Sequence, residues 1–111
     1  MHKPLEFILE ATSMNTGKVS EGRLLIAVRV TSVKSLNPEC CDGYIESLRK
    51  LYELRAINPP ESFTPRYGSR LKVYVSITQS ANLPKGIFYP RKMELLDESG
   101  RILSVYEECS L

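Results

Sequence analysis

Residues 5–12 alternate. Leu5, Phe7, Leu9 and Ala11 fall on one side, and Glu6, Ile8, Glu10 and Thr12 on the other. A period of two is the pattern of a half-buried strand. The same period runs through 23–34, where Leu24, Ile26, Val28 and Val30 face one way and Leu25, Ala27, Arg29, Thr31 and Val33 the other. Between them, Asn15-Thr16-Gly17-Lys18 supplies residues that tolerate the positive φ of a hairpin turn, within a loop reaching Gly22. Leu71, Val73, Val75 and Ile77 alternate with Lys72, Tyr74, Ser76 and Thr78 as a further strand. After a turn at 82–84, residues 88–96 read as a strand interrupted at Pro90. That assigns it to a sheet edge, because proline cannot donate to a ladder. Asp97-Glu98-Ser99-Gly100 then turns the chain into a last strand over 101–108, carried by Ile102, Leu103, Val105 and Tyr106.

One stretch has a different period. Asn37 can cap a helix, Pro38 suits its first position, and Glu39 meets the positive end of the dipole. At about 100° per residue, Cys41, Tyr44, Ile45, Leu48, Leu51, Tyr52 and Ala56 form one apolar stripe, and Leu54 falls off it. The spacing predicts a helix over 38–57, ended by Asn58 before Pro59 and Pro60. A proline-punctuated connector follows at 62–68. The order is β-β-α-β-β-β, a single α+β domain over 1–111. Its mostly antiparallel sheet of about five strands should take the helix on one face, through Cys41, Ile45, Leu48, Leu51 and Tyr52 against Val28, Val30, Val73 and Val75. The other face would be uncovered.

Composition narrows the class without choosing a function. Of 111 residues, 42% are apolar and 25% charged, which excludes disordered and fibrous chains. No apolar run approaches the roughly 18 residues of a membrane span, and Glu6 and Glu10 interrupt what could be a leader, so a cytoplasmic protein without membrane contact is expected. Cys40 and Cys41 are adjacent and cannot reproduce C-x-x-C geometry, and His2 is the only histidine. No metal site and no cofactor are therefore expected. The same shortage of histidine removes nucleophile–base pairs. Glu6 and Glu10, about 14 Å apart along a strand, are too distant to act on one glycosidic bond. Cys40, in the first turn of the predicted helix and off its stripe, is the candidate reactive thiol.

Charge changes the picture more. The net charge is only +2, yet residues 62–93 hold six cations and no carboxylate, interleaved with Phe63, Tyr67, Tyr74, Phe88 and Tyr89. Arg66, Arg70, Lys72, Tyr74, Lys85, Arg91 and Lys92 are thus candidates for binding phosphates and stacking bases. The leading expectation is a non-enzymatic interaction module working through a sheet edge or the uncovered face, with Leu25, Ala27, Val33 and Tyr74 at the contact. The expected partner is a second copy of the chain or another protein. A nucleic-acid or polyanion binder using 62–93 is the alternative. A small-ligand binder or enzyme with a pocket between helix and sheet is the third reading.

Overall fold

The computed structural model describes residues 5–36, 51–77 and 87–108. Among these the protein is all-β, with no helix. Its strands are β1 (Leu5–Ser13), β2 (Lys18–Ser20), β3 (Arg23–Ser35), β4 (Leu51–Ile57), β5 (Arg70–Ile77), β6 (Ile87–Phe88), β7 (Lys92–Leu96) and β8 (Ile102–Glu107). They form one sheet in the order β6-β4-β3-β1-β5-β7-β8, with β2 continuing the line of β1 along β3. All pairings are antiparallel except the short β4–β6 contact.

Inward-facing residues meet across the long ladders. Phe7 lies opposite Val75, Leu9 opposite Val73, Ile26 opposite Leu54, Val28 opposite Tyr52, and Met93 opposite Tyr106. All are buried in one cluster. The sheet curls into a half-barrel around them, bringing β8 back towards β4. The Ile57 amide donates to Tyr106 Oη at 3.2 Å, and the Ser62 and Ser104 hydroxyls are 2.8 Å apart. The connector after β4 carries Phe63 and Pro65 into the core, and the Phe63 and Tyr106 rings stand 6.3 Å apart, tilted by 55°.

The α+β expectation is therefore corrected. Residues 38–50 lie outside the described part, and the end of the predicted helix is strand β4. Tyr52, Leu54 and Ala56 point inward, while Leu51 and Ile57 are exposed and Glu53 and Arg55 half-buried. Leu54, the residue that did not fit a helical stripe, sits at the centre of the strand's inner face. The Val28, Val30, Val73 and Val75 side chains are buried in one cluster with inward residues of β1, β4, β7 and β8 and with Phe63.

Two further corrections concern turns and parity. The hairpin closes at Glu21-Gly22, not at 15–18. Ser20 pairs with Arg23, and the two loop residues have φ of +52° and +74°, a type I′ turn. Residues 14–17 instead form a bend between β1 and β2, with the Gly17 amide donating to the Pro65 carbonyl. In β3 the register skips from Ser32 to Val30 against Glu10 and Ala11, so Thr31 is an extra residue whose hydroxyl donates to the Glu10 carbonyl. That bulge reverses the parity beyond it and turns Val33 onto the core side, opposite Leu9. Pro90 falls in the break between β6 and β7. Strand β7 is internal, and among the described residues the sheet ends at β6 and β8.

The turn gives a direct check. A left-handed backbone costs most L-residues about 1–2 kcal/mol. Asn tolerates it better than Glu, so Glu21→Asn is expected to stabilise by about 0.5 kcal/mol. Gly22→Ala is expected to destabilise by about 1–2 kcal/mol or more, since its Cβ would also stand 2.6 Å from Asn58 Oδ1. Urea denaturation of both variants reads the difference.

Candidate functional site

The register shows what became of the acid-free stretch. Across the outer face, Lys34, Ile8, Tyr74, Lys92 and Glu107 form one row, and Ser32, Glu10, Lys72, Glu94 and Val105 the next. Carboxylates distant in sequence thus stand between the cations. Arg91 Nη1 donates to Glu6 Oε1 at 2.7 Å, and Lys92 Nζ lies 3.8 Å from Glu107 and 4.0 Å from Glu94. Exposed pairs of this kind add little stability, but they cancel the local potential. Lys72 is set between Glu10 and Glu94.

Tyr74 and Lys92 do come together, the ammonium 5.3 Å from the ring centre. The Tyr74 hydroxyl donates to Glu94 Oε1 at 3.0 Å. Burial, followed by that hydrogen bond, raises its pKa above the ordinary tyrosine value, so it stays a neutral donor at physiological pH. A cleft of about 440 Å³ opens beside them, its charged lining of both signs: Glu6, Arg91, Lys92, Glu107 and Glu108. Arg70 lies in a third row, beside Thr12 and Leu96, and Arg66 is on the exposed connector; neither has an ion pair among the described residues. Lys85 and Cys40 lie outside the described residues.

The expected contact face is not contiguous. Leu25 and Ala27 sit on β3 beside Arg55 and Glu53 of β4. Tyr74 lies in the row that crosses β3 at Lys34, nine positions further along, roughly 30 Å at strand rise. Val33 faces the core.

The pattern missed the edge at β8. Among the described residues β8 has a single strand neighbour, β7. Its Ile102, Leu103 and Val105 are 54%, 61% and 37% exposed. The Glu108 amide donates to the Arg91 carbonyl, so by the alternation of an antiparallel ladder the amides and carbonyls of Val105 and Glu107 point away from β7. A register shift leaves Leu103 as an extra residue near the start of β8, but no proline or lysine interrupts Ile102–Glu107, and the regular edge runs over Ser104–Glu107. That absence was visible in the sequence. The edge position was not, because Pro90 drew that assignment to the preceding strand.

At the start of β8 the Asp97 turn is rigid. Asp97 Oδ1 accepts from the Ser99 and Arg101 amides, and Oδ2 from Arg101 Nε at 3.1 Å. The Arg101 amide bond, then those from Ser99, hold the Asp97 carboxyl below its usual pKa. Among the described residues no helix is long and apolar enough to cross a membrane, and no group of His, Cys, Asp and Glu could hold a metal ion. Comparisons with protein families, with characterised proteins and with solved structures find no match to this chain.

Proposed function

We propose that the protein is a small, non-enzymatic interaction module whose β8 edge pairs antiparallel with β8 of a second copy, joining two half-barrels through one continuous sheet. The observation that carries this reading is the open edge beyond the bulge at Leu103: outward backbone groups at Val105 and Glu107 beside three exposed apolar side chains. The strand is also self-complementary. Arg101, held by Asp97, precedes it, and Glu107, near Lys92, and Glu108 end it, so antiparallel pairing of two copies brings no like charges together at either end of the joint. A reducing, cytoplasmic setting goes with this reading, since three cysteines leave at least one thiol unpaired. Nucleic-acid binding is less well supported, because Arg91 and Lys92 are paired with carboxylates.

Sedimentation equilibrium tests the proposal. Wild-type protein is expected at twice the monomer mass. Val105→Lys is expected to run as a monomer while its folding stability stays within about 0.5 kcal/mol, because the substitution is on the solvent side of the strand. A wild-type monomer at high concentration, or a Val105→Lys variant that still dimerises, overturns it.

A further inference from the structure

We infer that the outer face where β2, β3 and β4 run side by side is a binding site for a small phosphate monoester. A cleft of about 480 Å³ opens there, within the size range of small-molecule sites. Its apolar floor is Leu25 and Ile57, both partly exposed, and its polar rim is Ser20, Arg23, Arg55 and Tyr89.

The register explains the gathering. Arg23 lies opposite Ser20 on one side and Ile57 on the other, and Leu25 opposite Lys18 on one side and Arg55 on the other. Directly opposed residues share a face, so Arg23 and Arg55, which line the cleft, share the face of the apolar patch with Lys18, which flanks it. Arg55 is held in place. Its Nε donates to Glu53 Oε2 at 2.8 Å and its Nη1 to the Tyr89 hydroxyl at 3.3 Å. Those two bonds leave three of its five N–H donors for a ligand. Among the described residues Arg23 has no ion pair and no carboxylate lines the cleft.

The charge selects the ligand class. Arg23 and Arg55 line the cleft and Lys18 flanks it opposite Leu25; with Glu53 on Arg55, three cations against one carboxylate match a dianion. A phosphate monoester carries close to two charges at neutral pH, whereas a carboxylate carries one. The floor of Leu25 and Ile57 calls for an alkyl or aryl body on the phosphate. This site is at the far end of the sheet order from β8; the curl brings Tyr106 of β8 to the Ile57 amide, but the edge residues Val105 and Glu107 are not among the lining of the cleft.

Calorimetric titration of the full chain with phenyl phosphate tests the site, with inorganic phosphate and benzoate as comparators. Saturable binding at one site per chain is expected. Affinity should fall for inorganic phosphate, which lacks the apolar body, and for benzoate, which lacks the second charge. Arg23→Gln and Arg55→Gln should each weaken phenyl phosphate by about tenfold, and Arg70→Gln, on a different part of the outer face, should leave it unchanged. Absence of saturable binding, or binding that survives both Arg23→Gln and Arg55→Gln, overturns the site. Benzoate binding as tightly as phenyl phosphate overturns the dianion assignment.

Discussion

Leu54→Ala is expected to cost about 2–5 kcal/mol in chemical denaturation, as a large-to-small change in a packed core, while Leu51→Ala should change stability by less than about 0.5 kcal/mol. The contrast follows from β4 being a strand. Leu54 is 0% exposed and opposes Ile26 on the inner face, whereas Leu51, three residues earlier, is 59% exposed on the outer face. A helix over the same residues reverses the order, since Leu51 falls on the apolar stripe and Leu54 beside it. A larger loss from Leu51→Ala than from Leu54→Ala would mean that β4 is not formed as described.

Phe63→Ala is expected to cost about 3–5 kcal/mol. Phe63 belongs to no strand, yet it is fully buried. The Phe63 amide donates to the Pro60 carbonyl, the neighbouring Ser62 hydroxyl meets Ser104, and its ring faces Tyr106, which in turn accepts from the Ile57 amide. Removing the ring leaves a cavity where the connector, β4 and β8 meet, and none of the three can collapse into it without breaking one of those bonds. Phe63→Leu should recover most of the loss, because it restores apolar volume. A cost below about 1 kcal/mol for Phe63→Ala would show that the connector is not seated in the core.

Strand positions were legible where the period of two was clean. Residues of β1, β5 and β3 up to its bulge follow their hydrophobic alternation, because each buries one face and exposes the other. Strands β7 and β8 were marked instead by the turn between them, since β7 buries Glu94 along with Met93 and Leu95, and β8 exposes Ile102, Leu103 and Val105 while burying Ser104. The segment that became β4 was ambiguous. Leu51, Tyr52, Leu54, Ala56 and Ile57 satisfy either period over a short window, and the capping residues near Asn37 tipped the reading towards helix. Ladder partners on β3 decide the matter in the folded chain, and sequence spacing does not name them. The bulge at Thr31 has no composition cue, and simple alternation puts Val33 on the wrong face. Glu21 at positive φ is an uncommon choice, which is why Asn15 and Gly17 attracted the turn assignment instead.

The charged surface was legible in part. The lack of acids over 62–93 is real in the chain, but strands are flanked by partners from elsewhere. Glu6 reaches Arg91, and Glu94 and Glu107 flank Lys92, from beyond the limits of any local window. By contrast, the cations beside Leu25 were invisible as a group, because Lys18, Arg23 and Arg55 come together only through the β2–β3–β4 register.

Edge pairing at β8 is tested most directly by amide hydrogen exchange, followed residue by residue as protein concentration is raised. The Val105 and Glu107 amides, which β7 leaves unbonded, should slow with concentration, while Ser104 and Tyr106, already within the β7 ladder, should not change. Val105→Lys should abolish the slowing at Glu107. Exchange at Val105 and Glu107 that is independent of concentration up to the solubility limit would contradict pairing through this edge.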